Sequence, residues 1–334
     1  MLNWYLETGK EFDVVLTSRI RLARNIQEIP FIGEHRKEVL NKIEQIVPNI
    51  GYGLKMLKLE NMDDITRMEL VEKNLISPEF ALDKKEERAI LINEEENICI
   101  MINEEDHLRI QVFGAGLEIE NIMNLAIEID EKIGKLIHYA YNNKYGFLTS
   151  CPSNVGTGAR ASVMVHLPAL TKTGNINKIL DVVNNFGMNI RGIYGENSQT
   201  QGNMYQISTK QSLGISEKEI VKNIKLITEK IIEQERLARK YLIKNRVELE
   251  DKVYRSFAIL KYCKKISSKE CNQLLSDVRL GTDLGIIQEL TDLKVSKMQL
   301  FTKPANLQKF YGQKFDAYSR DIKRAEILKQ IIKE

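Results

Sequence analysis

The run CPSNVGTGARASV, Cys151 to Val163, constrains this chain more than any other stretch. A cysteine abuts a proline, a glycine-rich turn follows, and an arginine enters a β-branched run. Glycines at 156 and 158 would let backbone N–H groups approach an anion closely, while Arg160 adds a planar donor fork suited to phosphate oxygens. The segment reads as a phosphate cradle beside a thiol, opening into a strand. Gly156, Gly158 and Ala161 also fit GxGxxA, but a dinucleotide fingerprint needs a helix where Ser162 to Pro168 reads as a strand. No GxxxxGK[ST] loop occurs, and the NFG at 185–187 is not the DFG of protein kinases.

At 334 residues and 43% hydrophobic content the chain is long enough for two domains. Its 49 Lys+Arg against 46 Asp+Glu give +3, which argues against a nucleic-acid binder working through bulk charge. Residues 251–334 hold 17 basic and 10 acidic side chains, so the C-terminal part is +7 and residues 1–250 are −4. Cysteines at 99, 151, 263 and 271 form neither CxxC nor zinc spacing, which points to reduced thiols and a cytoplasmic protein. The first residues, MLNWYLETGKEF, lack the basic and apolar regions of a signal peptide, and no apolar run reaches membrane-spanning length.

Short β-rich runs at Ala89–Ile92, Ile98–Ile102, Leu108–Phe113, Ser162–Leu167, Asn189–Tyr194 and Asn203–Ser208 predict one sizeable sheet. Helical patterns lie between them at His35–Val47, Asp64–Lys73, Glu118–Ile137 and Asn175–Phe186. The mixture argues for an α+β fold with a mainly antiparallel sheet flanked by helices. Ser216 and Glu219 form a capping box before a long helix, one face of which is marked by Ile220, Ile224, Ile227 and Ile231. Beyond it strand signals vanish, and Glu248–Lys261, Ser267–Arg279 with Gly281 as a stop, and Ala317–Ile332 read as helices. Two domains are expected: residues 1–245, and an all-helical C-terminal domain at 246–334.

Five arginines draw attention. Arg19 and Arg21 alternate along an extended run, so they share one face of a strand. Arg109 ends NEEDHLR, Arg160 follows the glycine turn, and Arg191 begins RGIYGE. Taken singly, each reads as a solvated charge. The consecutive carboxylates Glu104, Glu105 and Asp106 are costly together unless a cation sits between them, although a solvated acidic turn has the same composition.

These motifs together resemble the phosphagen kinases, the ATP:guanidino phosphotransferases. The resemblance implies that family's catalytic fold and its use of ATP with Mg²⁺. It implies a nucleotide clamp of Arg19, Arg21, Arg109, Arg160 and Arg191, with Ser18, Asn154, Gly156 and Gly158. Glu105 then matches the carboxylate that orients the guanidinium and assists its deprotonation, and Glu104 the residue reaching Mg²⁺ through water. Cys151 matches a thiolate that steers the guanidinium, and Glu196 the glutamate carried by arginine kinases. His107 belongs to the same motif in a structural capacity. Ala159 departs from the leucine of many relatives.

Only 18 residues precede Arg19, so the helical lid domain of the family's small-molecule kinases is not expected and the site should stay open to a polypeptide. With the appended helical domain, this is similar to the bacterial protein-arginine kinases of the family. The match runs through ARASVMVHLPAL and GNMYQIS. SRDIKRAEI holds RDxxRA, which resembles their phosphoarginine-binding site, here Arg320, Asp321 and Arg324; by itself it also reads as a salt-bridged helix face. The resemblance further implies protein substrates with exposed arginine, a heat-shock repressor among them, a zinc-binding activator, a Clp-type unfoldase and protease, and a homodimer, with neither membrane nor direct nucleic-acid binding. A free-arginine kinase and a non-catalytic phosphoarginine reader are the competing readings.

Overall fold

A computed structural model describes residues 4–31, 35–83, 87–192, 200 and 202–334. Its strands are β1 Val15–Arg24, β2 Lys55–Lys58, β3 Ala89–Ile92, β4 Ile98–Ile102, β5 Leu108–Ala115, β6 Tyr141–Asn142, β7 Gly146–Phe147, β8 Ala159–His166, β9 Met188–Gly192 and β10 Met204–Thr209. Its α-helices are α1 Arg36–Ile50, α2 Asp64–Glu72, α3 Pro78–Leu82, α4 Ile119–Gly134, α5 Pro168–Lys172, α6 Ile176–Asn185, α7 Glu217–Ile243, α8 Arg246–Tyr262, α9 Ser268–Asp283, α10 Asp292–Phe301, α11 Pro304–Tyr311 and α12 Ala317–Lys333. The expected α+β architecture is present: an eight-stranded sheet in the order β2-β3-β4-β5-β1-β8-β10-β9, with antiparallel neighbours, and a C-terminal region built only of helices.

One sheet face is apolar because its strands alternate. Ile20 and Leu22 of β1, Ile110 and Val112 of β5, and Ala161 and Val163 of β8 are all buried in one core. Helix α4 covers them with Ile119, Ile122, Met123, Ala126, Ile129 and Ile133, a 3–4-residue spacing that forms a single stripe. Each fully buried large aliphatic side chain contributes about 1.5–3 kcal/mol. Helix α7 adds Ile220, Ile224, Ile227 and Ile231, starting from the capping box expected of Ser216 and Glu219. A second core lies among α8–α12, and a third joins β3–β5 to α2, α3 and Leu300 of α10.

Polar contacts seal the junction with the C-terminal helices. Arg239 and Arg279 both bond the Asp283 carboxylate at 3.2 Å, and Arg279 donates to Phe12 O at 2.6 Å. The Ser276 hydroxyl bonds His166 Nε2 at 2.8 Å and accepts from Asn203 Nδ2 at 2.7 Å.

Several boundaries differ from expectation. Gly281 does not stop a helix; it lies inside α9, where a Cβ would come 2.3 Å from Val253 Cγ1 of α8. It is a close-approach glycine, and sequence cannot separate that role from a stop. Strand β2 and helices α3, α10 and α11 carried no strong periodic signal. The strand expected at 189–194 ends at Gly192, and residues 193–199 lie outside the described set.

Arg24 secures the end of β1. It is 2% exposed, bonds Asp130 through Nε and Nη2, donates from Nη1 to Thr157 O at 2.9 Å, and lies 3.6 Å from the Phe147 ring centroid. Asp130→Ala would leave that guanidinium buried with its main partner gone, so urea unfolding should show a loss of about 3–5 kcal/mol.

Candidate active site

Pairing register decides which side chains share a face. Arg21 stands opposite Arg160 on one side and Gln111 on the other, while Arg19 stands opposite Ser162 and Phe113. Arg109 is two residues before Gln111 and so points the same way. On the far side Ser208 faces Ser162, and Arg191 faces Gln206, two residues before Ser208. All five arginines therefore lie on one face of the sheet, opposite the main core.

The cluster is short of negative charge. Burial pulls the Arg19 guanidinium down to about 10, helped by Arg109 and Arg160. Burial pulls Arg21 well down, with Arg19, Arg160 and Arg109 adding to the effect and Glu104 opposing it. Arg160 is lowered by burial, then by Arg191 and Arg109, with Cys151 opposing. A guanidinium keeps its proton at neutral pH, so these shifts measure electrostatic strain. Hydroxyls supply part of the missing coordination: Ser162 Oγ accepts from Arg19 Nε at 3.4 Å, and Ser208 Oγ from Arg160 Nη2 at 3.1 Å. The Nε atoms of Arg21 and Arg160 are buried without a partner among the described residues. Such donors suit an oxyanion.

The acid loop is a tight turn entered by Asn103 at φ 63°, closed by Asn103 N donating to His107 O at 3.0 Å. The cation expected between its carboxylates is Arg109. Its Nη1 donates to Glu104 Oε1 at 2.9 Å, and its Nη2 reaches Glu104 Oε2 at 2.8 Å and Glu105 Oε2 at 3.0 Å. Glu104 also accepts from Ser77 Oγ at 2.9 Å and has an 11% exposed side chain, whereas that of Glu105 is 42% exposed. One carboxylate is fixed and the other can change partner. Asp106 is buried and accepts from Asn25 Nδ2 at 2.8 Å and Ser150 N at 2.7 Å, tying this loop to the residue before Cys151. His107 Nδ1 accepts from Ile26 N at 3.0 Å, which leaves the proton on Nε2 to reach Pro30 O at 3.0 Å. Burial lowers its pKa, so this histidine is a neutral brace.

Cys151 is partly exposed, with Sγ 3.0 Å from Ser153 Oγ, and it acts electrostatically on Arg160. Cys99 and Cys271 are buried with raised pKa values, Cys271 to about 12, and are packing residues. The glycine turn beside Cys151 corrects the sequence reading in part. Gly156 N–H already donates to Phe147 O at 3.3 Å, and at φ 109° a Cβ there would fall 2.4 Å from Ser212 O. Gly158 has φ 63°, with 2.5 Å between such a Cβ and Arg24 Nη1. Both are glycine because backbone and Arg24 pack against them. Asn154 is partly exposed, and its N–H donates to Cys151 O at 3.0 Å.

One further expectation changes. The Ser18 side chain faces the opposite side of the sheet, is fully buried, and bonds Gly116 O and Glu118 N at the start of α4. It positions α4 and does not join the arginine face. Arg324 is 1% exposed and donates to Thr302 O at 2.8 Å, Ile266 O at 2.9 Å and Asp321 Oδ1 at 2.6 Å. These bonds tie it to the neighbouring helix ends through Nε and Nη1, while Arg320 and Asp321 stay partly exposed. Glu196 lies outside the described residues, and Arg191 is exposed on edge strand β9. Sequence reasoning did not single out Gln111, Ser77, Ser162 or Ser208, polar residues on strands or at a short-helix cap, whose contacts with the charged groups exist only through pairing.

The chain is similar to known proteins in sequence and fold. The ATP:guanido phosphotransferase C-terminal catalytic domain matches residues 36–238, and the protein-arginine kinase McsB C-terminal domain matches residues 246–334. A protein-arginine kinase from Halothermothrix orenii is 45% identical over 98% of this chain and 95% of its own length. One from Bacillus subtilis is 42% identical over 98% of this chain and 92% of its own. Among solved structures, lombricine kinase superposes with a TM-score of 0.59 at 27% identity, covering 69% of this chain and 68% of that one. The duplicated taurocyamine kinase from Schistosoma mansoni, with bound transition-state analogue components, shares the fold at a TM-score of 0.62 and 24% identity, covering 80% of this chain and 43% of that one.

The charge excess yields a prediction with opposite signs. Arg21→Met removes a buried, partly unpaired charge, so the ligand-free protein should gain about 1–2 kcal/mol in thermal or urea unfolding. The same variant should lose most of the stabilisation that pyrophosphate gives the parent protein.

Proposed function

This chain belongs to the ATP:guanido phosphotransferase family, and from that premise we infer that it is a protein-arginine kinase, moving the γ-phosphate of ATP onto arginine guanidinium groups in proteins. The observation that carries this reading is the face of five arginines, two of which, Arg21 and Arg160, keep a buried Nε without a partner among the described residues, beside two carboxylates and a thiol. Phosphoryl transfer spreads charge over the equatorial oxygens of a loose transition state, so fixed guanidinium groups supply much of the catalysis. Arg19, Arg21, Arg109, Arg160 and Arg191 would hold the phosphate chain in this way.

Acceptor chemistry falls to the other side. The attacking nitrogen must shed a proton as the P–N bond forms, because a guanidinium is otherwise fully protonated. Glu105 is the mobile carboxylate for that task, and a Cys151 thiolate would steer the guanidinium, with Glu196 as a second carboxylate. Glu104 stays with Arg109 and Ser77. Mg²⁺ fits this donor set in a limited sense: no group of three or more His, Cys, Asp or Glu among the described residues could hold a metal, so the ion would rest on the nucleotide with Glu104 reaching it through water. When bound it would neutralise developing phosphate charge.

Resemblance alone supports the finer points: domains at 1–245 and 246–334, phosphoarginine binding at Arg320, Asp321 and Arg324, homodimerisation, a zinc-binding activator, a heat-shock repressor among the substrates, and Clp-type degradation in the cytoplasm. Among the described residues no helix is long and apolar enough to cross a membrane.

Incubation with ATP, Mg²⁺ and casein should place acid-labile phosphate on protein arginines, read by mass spectrometry under neutral conditions. Glu105→Gln and Cys151→Ala should each lower kcat by about 10²-fold or more. Phosphate found only on added free arginine would establish the free-arginine kinase instead.

A further inference from the structure

The loop carrying Glu104 is held from a distance by the C-terminal helices. Glu72, the last residue of α2, accepts from the first free amides of α11: Ala305 N at 2.8 Å and Asn306 N at 2.9 Å, with Asn306 Nδ2 at 2.8 Å. Lys303 Nζ donates to the Glu72 backbone oxygen at 2.6 Å. A carboxylate at a helix N-terminus satisfies orphan donors and meets the positive end of the helix dipole. The α2 terminus is thus clamped to α11 through both its side chain and its backbone.

Three and five residues later the same chain reaches the charged site at two points. Leu75 O accepts from Gln111 Nε2 at 2.6 Å, and Gln111 stands directly opposite Arg21. Ser77 caps α3, accepting from Phe80 N at 3.2 Å, and its hydroxyl donates to Glu104 Oε1 at 2.9 Å. The connector turns sharply at Asn74, φ 63°, and Leu75 is fully buried, so little slack separates the clamp from the site. At the other end, Arg324 holds Thr302 O at 2.8 Å, two residues before α11 begins.

We propose that Glu72 and Ser77 are positioning residues through which α11 of the C-terminal region sets the orientation of Glu104 and, through Arg109, the freedom of Glu105. Neither would touch a substrate. The proposal rests on the kinase reading for its catalytic consequence and on the contacts alone for its structural one. A mere stabilising role for Glu72 would lower resistance to unfolding everywhere; a positioning role changes the acid loop selectively.

The test uses the full chain with Glu72→Gln, Ser77→Ala, the double variant, and Asn306→Ala as a milder release of the same clamp. Each single variant at 72 or 77 should lower kcat on casein about tenfold with KM for ATP unchanged, and the double variant should be no worse than about tenfold, since both act on one contact. A double variant near the hundredfold product would overturn the proposal. Hydrogen-exchange mass spectrometry should show faster exchange at 103–107 in Glu72→Gln and, to a lesser extent, in Asn306→Ala; protection unchanged at 103–107 in both would also overturn it. A parent protein that fails to phosphorylate casein arginine would sink the kinase reading, and the exchange comparison would still decide this one.

Discussion

Uncompensated positive charge on one face of a β-sheet is the constraint around which this molecule is organised. Guanidinium groups on neighbouring strands repel, and burial raises the cost. A protein tolerates such an arrangement only when the rest of the fold over-determines it, and that strain is then available for binding an anion. Here the over-determination comes from the apolar face beneath: Ile20, Leu22, Val112 and Val163 set the register of β5, β1 and β8, and the register leaves the arginines no other side to occupy.

Braces around the site are polar and local. Arg24 with Asp130 fixes the glycine turn; Asn25, Asp106 and His107 knit the end of β1 to the acid loop and to Ser150. These groups share the chemistry of the site and sit next to it, yet most of their hydrogen bonds are made to one another, with Asp106 Oδ2 and Ser150 Oγ buried without a partner among the described residues. What separates a brace from a binding group is unspent capacity: Arg24 has its donors satisfied, whereas Arg21 and Arg160 keep a buried Nε without a partner.

The two carboxylates of the acid loop show how neighbours divide labour. Both meet Arg109, but Glu104 is also held by Ser77 and is mostly buried, while Glu105 projects outward. Paired carboxylates in unequal surroundings acquire unequal roles. The immobile partner depends on a connector anchored in the C-terminal helices, so the helical region contributes to the charged site without a residue in it.

Much of this was legible in the amino-acid order. Alternation at Arg19 and Arg21, the capping box at Ser216, the strand and helix periods, and the thiol, glycine and carboxylate motifs are local properties, and local patterns survive without knowledge of the fold. Tertiary structure decided the rest, because pairing joins residues far apart in sequence. Only strand order brings Arg109 and Arg160 beside Arg21, and only helix packing sets Gly281 against Val253 and buries Arg324. A sequence specifies which groups are present and how each segment repeats; which of them remain without partners depends on the contacts of the whole chain.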